Sequence, residues 1–238
     1  AMTRAGAEKA VKACAGRNLI LGMGHERRFE PPVAAMLASA RSGELGRILQ
    51  IEANFSHDKF LSLDPSNWRL NAAEAPVAGM TATGIHLTDL SVALLGEALD
   101  VRVACENLGS NFPQGDTMSA HIRFRNGGTA YISATLVTPF ISRFAVYGTK
   151  GWIEIPPRFH HPDRIVLHRR GRDPEVLVRP ALGAGYSHEF IEVGDCLRSG
   201  RLESAVMPLC DTIAVQQILN GAAERLGVIH REDDTIEV

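Results

Sequence analysis

The sequence contains no Cys-x-x-Cys pair. Its four cysteines, Cys14, Cys105, Cys196 and Cys210, match no zinc spacing and offer no disulfide framework. Each lies in an apolar or helical context and reads as a reduced core thiol. Charge of one sign is also missing: the net charge is −2 and the pI is near 6.5, so there is no electrostatic footprint for nucleic acid. No apolar run reaches the roughly 20 residues of a membrane span. No signal-like segment precedes the first helix, so a cytoplasmic home is the expectation. Repeats and low-complexity stretches are absent too. What remains is 238 residues, 45% hydrophobic and 22% charged. That is enough for one large domain or two small ones with a sizeable core.

Hydrophobic period organises the chain. Residues 3–15 are rich in helix formers, and Gly16 can end the helix. The apolar run from Asn18 to Met23 suits a strand buried on both faces. Pro31-Pro32 opens a second helix to about Ser42. Ile51, Ala53 and Phe55 then alternate with polar residues, the two-residue period of a half-exposed strand. Residues 59–78 form a long connection. A helix from about Gly79 to Leu95 ends at Gly96. Alternation returns at Val101–Cys105, Met118–Phe124 and Ala130–Leu136. Asn126-Gly127 marks a hairpin between the last two, because both residues tolerate positive φ. Further strands are expected at 142–148, 151–155, 163–169 and 175–179, and helices at 186–199 and 208–226. The plan is α+β: an open, mostly antiparallel sheet with helices on one face. Its other face would carry Ser119, His121, Arg123, Thr129, Tyr131, Ser133 and Thr135. Such a face often pairs with a second subunit. The cluster His168-Arg169-Arg170-Gly171-Arg172 reads as a solvated hairpin end, and Arg231-Glu232-Asp233-Asp234 as a solvated tail.

Gly22-Met23-Gly24 follows an apolar run, as a dinucleotide-binding fingerprint would. The fingerprint needs a third glycine three residues on, but Arg27 stands there, and Glu26 to Pro32 is loop-like. The motif is therefore rejected, and no phosphate-cradling loop precedes it.

Other segments match a known pattern in order. Gly24-His25-Glu26-Arg27-Arg28-Phe29 resembles the strand-end motif Gly-x-Asn-x-Arg-Phe-x-Pro of the glucose–fructose oxidoreductase, inositol dehydrogenase and MocA (Gfo/Idh/MocA) family, with Glu26 where Asn is usual. Trp68-Arg69 follows. Ala78-Gly79-Met80-Thr81-Ala82-Thr83-Gly84-Ile85-His86-Leu87-Thr88-Asp89 resembles the family's Gly-Gly-x-x-x-Asp-x-Gly-x-His-x-x-Asp helix. Tyr147 to Ile155 resembles its Gly-Thr-x-Gly turn, and His188 to Gly200 its penultimate helix.

The resemblance implies that residues 1–27 are a short αβ remnant of a dinucleotide-binding (Rossmann) domain and residues 28–238 a substrate and oligomerisation domain. It implies an NAD- or NADP-dependent oxidoreductase acting on a sugar, polyol or related keto compound, whose cofactor this chain alone does not hold. His86 would be the proton relay beside the reacting carbon, since imidazole has an ordinary pKa near 6.5. His25, Glu26 and Arg28 would face the cofactor. Trp68, Arg69, Thr83, His57 and Tyr186 would border the substrate. For Arg28, Trp68 and Arg69 the competing reading is surface salt bridging and core packing. For His86 it is a ring bonded to a backbone carbonyl.

Asp89, three residues after His86, suits structural support, and no metal is assigned. His160-His161 precedes Pro162 in a turn and reads as solvated; Glu189 suits a helix dipole. Two departures matter. Ala82 stands where the family carries an Asp, and the family's Glu-Lys-Pro lysine is absent, Glu8-Lys9-Ala10 lying inside a helix instead. These favour an alternative: a non-catalytic carbohydrate-binding or dimerisation protein that has lost its cofactor domain. A homodimer or homotetramer through the open sheet face is expected either way.

Overall fold

In the computed structural model, residues 3–77, 79–183 and 185–228 are described; Ala78 of the helix motif and the charged tail lie outside them. Helix α1 (Arg4–Gly16) starts at Thr3, whose hydroxyl accepts from the Gly6 amide. A 3-10 turn, Glu26–Phe29, leads into α2 (Pro31–Arg41), which carries proline in its first turn. Strand β1 (Ile48–Ser56) follows. A π-helical turn, Met80–Gly84, then opens α3 (Ile85–Leu95), which Gly96 ends at φ 75°. Seven strands come next: β2 (Ala98–Glu106), β3 (Thr117–Phe124), β4 (Thr129–Thr135), β5 (Ile141–Gly148), β6 (Gly151–Ile155), β7 (Arg164–Arg169) and β8 (Glu175–Val178). Helices α4 (Tyr186–Ser199) and α5 (Leu209–Arg225) follow.

The strands form one eight-stranded sheet in the order β2-β3-β4-β1-β5-β6-β7-β8. Among the described residues only β1 and β4 pair in parallel. The expected α+β plan, an open and mostly antiparallel sheet with helices, is what forms. Register explains the core. Ile51 lies between Ala130 and Val146, and Ala53 between Ile132 and Phe144, so their side chains share the buried face. Helices α2, α3 and α5 cover that face and complete the main apolar cluster. On the opposite face His121, Arg123 and Tyr131 are exposed, and Ser119, Thr129, Ser133 and Thr135 are half-buried. No helix among the described residues is long and apolar enough to cross a membrane.

The start of α3 sits hard against the sheet. A Cβ on Gly79 would lie within 3.2 Å of Met118, of Ala134 and of the Ala134 carbonyl oxygen, so glycine permits the approach. This seats the π turn, and His86 just after it, over the ends of β1 and β4.

Two expectations are corrected. Residues 18–23 form no strand. The segment is extended, with Leu21 N–H donating to the Leu202 carbonyl, but no ladder forms among the described residues. An apolar run is a strand only where a neighbour takes its backbone groups. The β3–β4 turn places Gly127 and Gly128 at positive φ, not Asn126, so residues 125–128 make a longer turn than a two-residue hairpin. The expected long connection after β1 does form, and it carries two 3-10 turns, Lys59–Ser62 and Trp68–Leu70.

Candidate active site

The 3-10 turn after His25 drives Glu26, Arg27 and Arg28 into the interior, where each is less than a tenth exposed. Arg28 is fully buried and every donor is used. Nε and Nη2 meet Asp89 Oδ2 and Oδ1 at 2.8 Å each, and Nη2 also donates to the Asp89 carbonyl at 3.1 Å. Nη1 donates to Asp211 Oδ2 at 2.6 Å and to the Val206 carbonyl at 3.2 Å. Arg28 thus ties the turn to α3 and α5 and has no donor left for a ligand. Asp89 has the structural role its spacing suggested.

Arg27 faces another cluster. Its Nη1 donates to Glu30 Oε1 at 2.7 Å and to the His160 carbonyl at 2.5 Å; its Nη2 lies 3.4 Å from Glu26 Oε1. The other Glu26 oxygen, Oε2, is 3.9 Å from His86 Nδ1. The His25 ring meets the His86 ring edge-on at 6.3 Å, and Phe55 lies 6.2 Å from it. Six buried side-chain polar atoms lack a hydrogen-bond partner among the described residues. Three of them, Arg27 Nε, Glu30 Oε2 and His86 Nδ1, sit in this one cluster. Buried polar groups are normally satisfied, so this concentration marks a network left open.

The His86 side chain is 20% exposed. Nδ1 is sealed, whereas Nε2 is neither sealed nor bonded among the described residues, and is the nitrogen a ligand can reach. Burial, then the charges of Arg27 and His25, push the imidazole down to about 3. The ring is therefore neutral at physiological pH, and one nitrogen carries a free lone pair. Burial pushes the Glu30 carboxyl up to about 7 against the pull of Arg27. Glu189, in the first turn of α4, is raised by burial and by Glu26. A neutral imidazole can orient a hydroxyl and exchange a proton with it.

The remaining expected residues are spread out. Thr83 is buried and its hydroxyl donates to the Phe55 carbonyl at 2.8 Å. His57 Nδ1 accepts from the Lys59 amide, and its ring packs against Phe55 and Phe60, so it borders the same aromatic group as His86. Burial and Lys59 lower its pKa. Trp68 is 43% exposed, with the Arg69 guanidinium 4.4 Å above its ring. Tyr186 is exposed at the start of α4. Among the described residues no hydrogen bond, ion pair or ring contact joins Trp68, Arg69 or Tyr186 to His86. His160 is not the solvated turn residue expected. It is half-buried, its ring is 4.1 Å from Phe140 and its Nδ1 is 3.4 Å from Ser142 Oγ. Glu189, expected to suit a helix dipole, does stand in the first turn of α4. Sequence reasoning gave Arg27, Glu30 and His160 no role in this cluster. No spacing announces them, because the fold brings His160 to Arg27 across 133 residues. No three His, Cys, Asp or Glu among the described residues gather to hold a metal ion.

Comparison with known proteins agrees with this architecture. Residues 33–154, just over half the chain, match the family profile described as the GFO/IDH/MocA C-terminal domain. Trans-1,2-dihydrobenzene-1,2-diol dehydrogenase of Xenopus tropicalis is 30% identical over 120 residues, covering 48% of this chain and 36% of the relative. The Bos taurus protein of that name is 22% identical over 214 residues, covering 87% and 62%. The chain thus spans between about a third and three-fifths of these relatives' length. Levoglucosan dehydrogenase in complex with NADH and levoglucosan superposes with a TM-score of 0.82 at 19% identity, over 95% of this chain and 69% of that one. Aldose–aldose oxidoreductase from Caulobacter crescentus, complexed with glycerol, gives 0.79 at 23% identity, over 95% and 68%. The ordered motifs, the sheet and the matched residues converge: this chain belongs to the Gfo/Idh/MocA oxidoreductase family, through its C-terminal domain.

Proposed function

We propose that the chain is the substrate-binding part of an NAD(P)-dependent oxidoreductase acting on a sugar, polyol or related keto compound, and that His86 is the residue that meets the reacting oxygen. The observation that carries this is the state of the ring: neutral, sealed at Nδ1 and open at Nε2, with Glu26 and Arg27 acting on it. Nε2 accepts a substrate hydroxyl or, once protonated, donates to a ketone. Relatives acting on diols and sugars support the substrate class. His25 and Glu26 border the place where the nicotinamide would lie. Arg28 acts as scaffold there, its donors being spent internally. His57 and Thr83 shape the pocket wall from the β1 side, with Trp68, Arg69 and Tyr186 as its outer rim.

The described residues do not fit a whole dinucleotide. Gly22-Met23-Gly24 leads into a 3-10 turn, not a long helix, and Arg27 occupies the third glycine's place. Residues 1–27 therefore read as the end of a cofactor domain and residues 28–238 as the substrate and oligomerisation domain. Supporting this are the ladder-free backbone at 19–23 and a cavity of about 240 Å3 beneath it, lined by Ile20, Leu21, Met23, Phe29, Val193 and Met207. Leu19, Phe190 and Leu197 are also exposed. Such a surface suits a packed neighbouring layer. The exposed sheet face around His121 and Tyr131 would join two or four copies, in the cytoplasm.

Titration of the purified chain with NADH and NADPH by fluorescence tests this reading. Weak or no binding is expected, and tight binding would overturn the assignment of residues 1–27. Fused to a complete cofactor domain, the chain should oxidise polyols, and His86→Asn should lower kcat on the order of 100-fold or more. An active His86→Asn fusion would remove His86 from the chemistry, and a folded wild-type fusion that binds NAD(P)H but oxidises no polyol would favour the alternative, a carbohydrate-binding or dimerisation module.

A further inference from the structure

Glu26 divides its carboxylate between two neighbours. Oε1 is held by Arg27 Nη2 at 3.4 Å, which turns Oε2 toward His86 Nδ1 at 3.9 Å. The side chain is only 6% exposed, so little water competes for Oε2. Nδ1 is sealed and unpaired, and among the described residues no other oxygen makes a hydrogen bond to it. A bridging water does not account for the spacing, since two bonds of about 2.8 Å meeting at one water span about 4.5 Å. The two atoms face each other about 1 Å beyond hydrogen-bond distance, a gap that catalytic hydrogen bonds often close when substrate binds.

We propose that Glu26 is the positioning residue of the His86 site: its Oε2 accepts a hydrogen bond from Nδ1–H and so fixes the ring as the tautomer whose Nε2 lone pair faces the ligand. A neutral imidazole carries its proton on one nitrogen only, and the partner of that nitrogen decides which. A proton on Nε2 would make the open nitrogen a donor and abolish its capacity to accept a hydroxyl proton. Glu26 thereby gives the ring a direction that no residue on its own helix supplies. The role rests on the reading of His86 as the ligand-facing group, but its test needs neither substrate nor cofactor.

The experiment is nitrogen NMR of the full chain with labelled histidine, with His86→Asn used to assign the His86 signals. In the wild type at pH 7 the Nδ1–H form should dominate. In Glu26→Met it should fall to a minor species. In Glu26→Gln, which keeps an acceptor oxygen, it should be largely retained. An Nε2–H ring in the wild type overturns the proposal, as does a tautomer ratio unmoved by Glu26→Met. Should Glu26→Met fail to fold, the wild-type spectrum and Glu26→Asp decide: the shorter side chain should lower the Nδ1–H fraction severalfold, and an unchanged fraction refutes the role. Loss of activity in a fused enzyme with the tautomer intact would count against the oxidoreductase reading alone.

Discussion

Two neighbouring arginines on one 3-10 turn meet opposite fates. Arg28 has every N–H paired, with two carboxylates and two carbonyls closing around a fully buried guanidinium. Arg27 is buried too, at 8% exposed, but its Nε makes no hydrogen bond among the described residues, and neither does Glu30 Oε2 or His86 Nδ1. A closed network of buried charges serves as scaffold. An open one keeps unmet hydrogen-bonding capacity in reserve, at a cost in stability that function can explain. The difference predicts that Arg28 changes will act on folding and Arg27-cluster changes on titration and ligand geometry.

The largest effect should come from Arg28→Ala. It would leave Asp89 buried and unpaired and loosen Asp211, and removing one partner from such a pair costs roughly 3–5 kcal/mol. Urea denaturation should register this loss. A cost below about 1 kcal/mol would break the comparison, because it would mean that the closed network holds nothing together.

Glu30 should come next, and its signature is pH. Its carboxyl stands at about 7 in the folded chain against an ordinary 4.5. Between these values the folded chain holds a proton that the unfolded chain has released, so stability falls as pH rises. The contribution is fully present below 4.5 and gone above 7, and amounts to about 3 kcal/mol. His86 runs the other way. Its folded value of about 3 lies below the ordinary 6.5, so its contribution is present above 6.5 and is lost as pH falls toward 3. The two oppose each other from 4.5 to 6.5. Glu30→Gln removes the first and keeps the second. The stability of this variant relative to the wild type should therefore grow by about 3 kcal/mol from pH 4.5 to 7.5. A flat difference would show that Arg27 already neutralises Glu30 and that the network is closed after all.

The contrast between the arginines also marks what a sequence can tell. Alternation located the strands because burial of one sheet face depends on neighbours two residues apart, as at Ile51, Ala53 and Phe55. The Gly96 stop depends on one residue's φ and was equally legible. Residues 18–23 failed because a strand is a property of two segments, and local composition reports only one. His86 was singled out by motif resemblance, which said nothing of how the polar atoms around it would be paired. Arg28 and Thr83 look like ligand contacts in sequence, but their polar atoms are consumed inside the fold. Glu30 and His160 look incidental, yet they converge on Arg27. Which polar atoms are left over after folding is a tertiary sum that no local pattern encodes.

Arg69 supplies the mildest test, as a third arginine with neither kind of network. Its guanidinium lies 4.4 Å above the exposed Trp68 ring, and Trp68 and Arg69 form a short turn capped by Asn67. A cation over an aromatic face at an exposed site contributes about 0.5–1 kcal/mol. Arg69→Ala should therefore cost less than about 1 kcal/mol in urea denaturation. That cost should be independent of pH between 5 and 8, because no carboxylate pairs with this guanidinium among the described residues. A loss approaching that of Arg28→Ala would mean that stacking on an open indole rivals a closed set of charged hydrogen bonds. The rule drawn from the two neighbouring arginines, that completeness of pairing sets structural weight, would then not extend beyond them.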